Sequence, residues 1–184
     1  VFMILFGVNF SCYYLLLLRH FNSVLRDEEL RLYFGIIVVA VALIVLDIHD
    51  LYATLEESIR YAAFQVGSII TTTGFSSVDF DQWPSLSKTI LLCLMVIGAS
   101  AGSTGGGLKV GRLLLIFKSL RRNIRQLLNP NKVQVIRNNG SVVDEKVLAN
   151  TNAYLAAYVI IVFVIFLIIS MDGFSIGTNF SAVL

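Results

Sequence analysis

The sequence predicts an all-α integral membrane protein carrying one small water-exposed β-hairpin, and three observations predict it. Hydrophobic residues make up 57% of the chain and charged residues only 14%, against about 25% charged in an ordinary soluble domain. Apolar segments recur near the length that crosses a hydrocarbon core, about 20 residues at 1.5 Å each. Two breaks rich in small and hydroxyl residues interrupt them: Thr71-Thr72-Thr73-Gly74-Phe75 and Gly98-Ala99-Ser100-Ala101-Gly102-Ser103-Thr104-Gly105-Gly106-Gly107. Backbone that leaves the helix inside a bilayer strands its N–H and C=O groups, at a cost of several kcal/mol each, unless it lines water or an ion path. Two such breaks suggest a pore.

Along the chain, residues 1–18 read as the tail of a span and residues 19–31 as a charged connection. Residues 32–46 form a second span with the β-branched run Ile36-Ile37-Val38-Val39. Residues 56–73 keep helical spacing through Ile59, Ala62, Ala63, Val66 and Ile70 but carry Glu56, Glu57, Arg60 and Gln65, too polar to span and suited to a half-helix that dips in and stops. Trp83 suits the headgroup belt and Pro84 a helix start. Residues 90–97 supply about a half-span before the glycines, and residues 108–120 resume an apolar pattern that turns amphipathic toward Arg125 and Leu128. Residues 133–143 alternate around Asn139-Gly140, a strong hairpin-turn signal. Residues 153–171 are a uniformly apolar last span, and residues 172–184 begin another surface or re-entrant element. The chain opens at Val1 inside an apolar run with no readable signal peptide, so it is expected to be an internal piece of a larger membrane protein.

Charge reports orientation. Residues 19–31 carry Arg19, Arg26 and Arg31 and residues 109–146 nine more Lys and Arg, whereas residues 47–88 carry only Arg60 and Lys88 against six acids. The basic connections, hairpin included, are therefore expected in the cytoplasm. An acidic outer mouth of Asp47, Asp50, Glu56, Glu57, Asp79 and Asp81 would concentrate cations, although each alone also fits an ordinary solvated loop. The net charge of +2 is too mild to imply nucleic-acid binding. Cys12 and Cys93 lie in apolar runs, where a thiol packs as a small hydrophobe.

Each break admits more than one reading. A hydroxyl run closed by glycine after a polar half-helix can direct a negative helix end and several backbone carbonyls at a desolvated cation; Gly74 could also be an ordinary helix C-cap. Gly102 and Gly107 have the spacing of a phosphate-binding loop, but Leu108-Lys109-Val110 stands where Lys then Ser or Thr is needed, and a helix rather than a strand precedes it. A close-packing surface of small residues is a stronger rival, yet three consecutive glycines favour an unwound loop. Lys109 with Arg112 is a snorkelling anchor or an electrostatic element on the inner side. Asp47, His49 and Asp50 sit at a span end, where polar residues are expected without a metal. Arg121, Arg122 and Arg125 read as anchors near anionic lipid or a cytoplasmic docking surface.

The two breaks in this order, with Trp83-Pro84 and Leu108-Lys109-Val110, resemble the Trk/Ktr/HKT family of potassium transporters, closest to its TrkH branch. The Arg26-Asp27-Glu28-Glu29-Leu30-Arg31 connection, the Asn129-Pro130 junction and Asn179-Phe180-Ser181-Ala182-Val183 extend the resemblance over nearly the whole chain. It implies repeated units of span, pore half-helix, filter loop and span: residues 1–18 end one repeat, 19–31 connect, 32–128 form a complete pore repeat, 129–150 a cytoplasmic hairpin linker, and 151–184 start the next. It also implies a filter at Thr71, Thr72, Thr73, Gly74 and Phe75, with the carbonyls of Thr72, Thr73 and Gly74 on potassium. Beneath it would lie a gate loop with Gly98, Gly102, Ser103, Thr104, Gly105, Gly106, Gly107 and Lys109. The implied setting is the bacterial inner membrane, crossed several times, with a homodimer, a cytoplasmic nucleotide-binding regulatory ring of the TrkA/KtrA type, potassium as cargo and no cofactor.

The expected function is potassium uptake without enzymatic chemistry. Two alternatives remain: a pore-less structural or assembly subunit whose glycine loop packs helices, and a membrane-bound nucleotide-dependent enzyme, against which the missing Lys-Ser/Thr step and the lack of an intramembrane catalytic cluster both argue.

Overall fold

The structure is a computed structural model that describes residues 1–129 and 134–184; the junction expected at Pro130 and the hairpin start expected at Val133 lie outside the described residues. The chain divides into two compact units, Val1–Val110 and Gly111–Leu184.

The first unit is helical throughout. The expected span over residues 1–18 is instead two short helices, α1 (Phe2–Phe6) and α2 (Phe10–Leu17), separated at Gly7, Val8 and Asn9. Asn9 starts the second by accepting the Ser11 N–H on its side-chain oxygen at 2.9 Å. The connection folds into α3 (Phe21–Leu25). Then α4 (Glu28–Ile48) starts earlier than apolarity alone predicts, because Asp27 accepts the Leu30 N–H at 2.8 Å and Glu28 and Glu29 complement the helix N-terminus. The half-helix is α5 (Leu55–Ile70), begun by Thr54, and α6 (Ser85–Ile97) follows Pro84, whose missing N–H costs nothing at a helix start.

These helices share one core. Tyr33, Ile37, Ala40, Ile44 and Ile48 line one face of α4 and are buried with Ala62, Val66 and Ile70 of α5 and Leu91 and Leu94 of α6. Two residues, Trp83 and Asp47, depart from expectation. Trp83 does not sit on the surface as a headgroup anchor but is buried, its Nε1–H donating to the Tyr52 hydroxyl at 3.0 Å. Asp47, expected at an open mouth, accepts both the Ser87 N–H (3.0 Å) and the Ser87 hydroxyl (2.6 Å) on one carboxylate oxygen, tying the end of α4 to the first turn of α6.

In the second unit, α7 (Val110–Leu128) is strongly amphipathic, with Arg121, Arg122 and Arg125 toward its C-terminal end. The hairpin pairs β1 (Arg137–Asn138) with β2 (Ser141–Val142), Arg137 opposite Val142 and Asn138 opposite Ser141. Its turn residues Asn139 and Gly140 both take positive φ, 49° and 82°, which matches the right-handed twist of paired strands. Lys118 donates from Nζ to the Arg137 carbonyl at 2.7 Å, Arg122 pairs with Glu145, and the Arg112 guanidinium lies 4.1 Å from the centre of the Tyr154 ring. Then come α8 (Glu145–Ile169) and the short α9 (Ile176–Val183). Among the described residues two helices are long and apolar enough to cross a membrane, Glu28–Leu51 and Glu145–Ile169; α6 is a shorter apolar helix. The apolar stretch of α8 buries none of its residues within the chain, so its surface is left to lipid or to other protein.

Candidate functional site

The first break is built by the end of α5. Thr71 ends the helix and is buried, its hydroxyl donating to the Gly67 carbonyl at 2.7 Å and meeting the Thr73 hydroxyl at 2.7 Å. The Thr72 N–H reaches back to Ile69 at 3.0 Å and the Thr73 N–H to Ser68 at 2.9 Å. Carbonyls that a helix end leaves open are thereby occupied by the turn itself. Thr72 has φ +53° and Gly74 φ +80°. A residue with a Cβ spends about 1–2 kcal/mol in that region, and for Thr72 a hydrogen bond accompanies it: its hydroxyl oxygen accepts the Gly106 N–H at 2.8 Å. At Gly74 nothing lies within 4 Å of where a Cβ would stand, so backbone conformation rather than space calls for glycine. Phe75 is exposed. Downstream, the Ser76 hydroxyl donates to the buried Gln65 side chain at 3.3 Å, holding the exit from the turn against the half-helix. The C-terminal end of α5 directs its negative partial charge at this turn.

The second break is a loop closed at its base. A Cβ on Gly98 (φ +68°) would stand 2.3 Å from the Gly106 carbonyl oxygen, and one on Gly107 2.8 Å from the Gly98 Cα; only two glycines permit that approach. The stem is completed by backbone bonds from Leu108 to Val96, Lys109 to Ile97 and Val110 to Ala99. Within the loop Ser103 donates its hydroxyl to the Ser100 carbonyl at 2.6 Å, and Thr104 reaches the Phe6 carbonyl at 3.4 Å. Lys109, itself at φ +76°, donates from Nζ to the Gly105 carbonyl.

The two breaks meet. A Cβ on Gly105 would stand 3.2 Å from the Thr71 carbonyl oxygen, and Gly106 bonds to Thr72. The glycine loop thus abuts the hydroxyl turn through positions that have no side chain. Three further segments engage it: the Ser100 N–H donates to Gly7 (3.0 Å), the Phe10 N–H to Gly102 (3.1 Å), and the Ala101 N–H to a Glu29 carboxylate oxygen (2.5 Å). At Gly7 a Cβ would collide with the Tyr33 hydroxyl, which instead donates to the Ile4 carbonyl at 3.0 Å.

The residues singled out from sequence at 71–75 and 98–107, with Lys109, therefore lie in one cluster. Gly7, Asn9, Glu29 and Tyr33 belong to it and were missed. Gly7 and Asn9, two positions apart in an apolar run, carry a signal for a helix break; Glu29 carries none, because an acid in a first turn already has a local reason. The phosphate-loop rival fails on context, since helices flank the loop on both sides. Asp47 is occupied by Ser87, His49 Nε2 lies 3.0 Å from Asp50, and among the described residues no three His, Cys, Asp or Glu side chains group to hold a metal. In the second unit, Lys118, Arg121, Arg122, Arg125 and Arg137 line a cleft of about 300 Å³.

Comparison with known proteins identifies the family of the chain. The TrkH family model, described as a cation transport protein, matches residues 1–184. The Trk system potassium uptake protein TrkH of Escherichia coli K12 is 34% identical over the whole of this chain, which spans 38% of that protein. TrkH of Vibrio parahaemolyticus is 30% identical, with this chain again covering 39% of it. The crystal structure of the potassium transporter TrkH from Vibrio parahaemolyticus superimposes with a TM-score of 0.88 at 30% identity, over 98% of this chain and 40% of that one. The chain spans about two fifths of the length of these relatives, and it belongs to the TrkH family of cation transport proteins.

Proposed function

We propose that this chain supplies one complete pore repeat, residues 32–128, of a potassium uptake protein that crosses the bacterial inner membrane several times. In this reading Thr71, Thr72, Thr73, Gly74 and Phe75 form one side of the filter, and the carbonyls of Thr72, Thr73 and Gly74 replace water around the ion. The loop of residues 98–107 is the barrier below. Potassium is cargo, and the chain does no covalent chemistry. The observation that carries the reading is the direct apposition of Gly105 and Gly106 with Thr71 and Thr72: an unwound segment without side chains lies against the turn at the negative end of a polar half-helix. A pore-less packing role explains close glycine contact but not why the half-helix buries Ser58, Gln65 and Ser68.

The intact protein is a homodimer in this proposal, with a cytoplasmic nucleotide-binding ring of the TrkA/KtrA type as regulator. The basic end of α7 and its hairpin form the docking face, supported by the cleft that Arg121, Arg122 and Arg125 line.

Potassium and sodium flux in proteoliposomes of the full-length parent, wild type and Gly74→Ser, tests the assignment. Wild-type protein is expected to prefer potassium, and the substitution to narrow that preference, because Gly74 at φ +80° is a conformation where a side chain shifts the backbone. No potassium flux, or an unaltered preference, overturns the filter assignment.

A further inference from the structure

We propose that Glu29 is the latch of the glycine-rich loop: its carboxylate holds the Ala101 N–H and thereby keeps the loop in its obstructing arrangement. The inference rests on the gate reading above and adds to it a positioning residue outside both breaks. The ties that hold residues 98–107 are divided between backbone pairs, as from Ser100 to Gly7 and from Phe10 to Gly102, and bonds that use a side chain. Two involve a charged side chain: Glu29 on the Ala101 N–H and Lys109 on the Gly105 carbonyl. Lys109 stands on the loop's own stem and travels with it. Glu29 is 72 positions away on another helix, so its bond fixes the loop to a scaffold that does not move with it.

That scaffold is firm. Glu29 lies in the first turn of α4, whose buried face makes up much of the core and whose N-terminus Asp27 caps. The helix dipole gives a first-turn acid a local reason to exist, but it does not dictate a partner. Here the half-buried carboxylate accepts the Ala101 N–H of the loop at 2.5 Å, and a hydrogen bond to an ionised acceptor is about twice as strong as a neutral one. Glu29 also stands where α4 begins within the connection of residues 19–31, in which Val24 is buried. A displacement of that connection would withdraw the carboxylate and free the loop without touching the filter.

The test uses the full-length parent in proteoliposomes without its regulator, with Glu29→Gln, Glu29→Ala and Glu29→Asp, each in the intact loop and in a background with a deletion within residues 102–106. Loss of the charge is expected to raise basal potassium flux roughly three- to tenfold for Glu29→Gln and more for Glu29→Ala. Glu29→Asp restores part of the low flux, ion preference stays fixed, and amide exchange at Ala101 accelerates in the order Asp, Gln, Ala. In the deletion background the three substitutions add nothing, as expected of residues acting through one element. If the deletion raises flux but Glu29→Gln and Glu29→Ala leave both flux and Ala101 exchange unchanged, the latch is wrong and the gate stands. If the deletion itself has no effect, the gate reading fails and the latch with it. Lowered flux or altered ion preference overturns the latch and assigns Glu29 to folding or to the filter. Should Glu29→Ala fail to insert, the nearly isosteric Glu29→Gln carries the comparison alone.

Discussion

The hydroxyl turn and the glycine loop are both irregular segments beside apolar helices, but they are held in opposite ways. The turn is tied to its own helix: Thr71 to Gly67, Thr72 to Ile69 and Thr73 to Ser68. The loop, beyond its stem, is tied to residues far away in sequence, Phe6, Gly7, Phe10, Glu29 and Thr72. A locally satisfied segment keeps its shape for as long as its helix does. One satisfied from several distant elements keeps its shape only while those elements stay in place, and that makes it the adjustable half of the pair.

Deleting residues within 102–106 breaks this contrast most severely. Three consecutive glycines bias the intact loop against a helix by about 2 to 3 kcal/mol relative to alanine, and a deletion that takes Gly106 also removes its bond to Thr72. Flux through the full-length parent is expected to rise on the order of tenfold or more, with little change in preference for potassium over sodium. A folded deletion protein conducting at the wild-type rate would return the loop to a packing role.

A smaller but diagnostic effect is expected at the base. Gly98→Ala places a methyl 2.3 Å from the Gly106 carbonyl oxygen at φ +68°, which combines overpacking and backbone strain worth about 2–4 kcal/mol. Thermal unfolding of the purified parent in detergent should fall accordingly, and an unchanged midpoint would mean that the stem is looser than its geometry implies. Smallest is Thr71→Val, which keeps the volume but removes the hydroxyl that bridges Gly67 and Thr73. A loss of about 1 kcal/mol is expected, measured in the same unfolding assay. A loss several times larger would show that the turn, too, depends on non-local support.

Legibility in the sequence follows the same division. The half-helix, its terminal turn and the Asn139-Gly140 hairpin were readable because their determinants are local: polar residues on a helical period, a hydroxyl run closed by glycine, two residues suited to positive φ. The earlier start of α4 was written in Asp27-Glu28-Glu29 but outweighed by the apolar run that follows. The break at Gly7, Val8 and Asn9 was hidden by strongly apolar flanks, which make residues 1–18 look continuous by hydropathy. Trp83 shows the limit of reading a residue by type, since an indole suited to a headgroup belt is equally suited to a buried bond with Tyr52. The Glu29 contact was not readable at all, because its partner is a backbone amide, which has no residue identity to notice.

The bond from Thr104 to Phe6 joins positions 98 residues apart, and its neighbours reach from the loop to Gly7 and Phe10. A segment that reads by pattern as a finished module from residue 32 onward thus has its loop completed by carbonyl and amide groups made before the module begins. Closing a contact of such separation costs more chain entropy than closing a local one. A repeat lifted out at that boundary, whether by an engineer or by gene duplication, would keep its turn but leave its loop with unmet hydrogen bonds. In this chain the loop of residues 98–107 therefore takes part of its shape from residues 6–10, which precede the segment of residues 32–128.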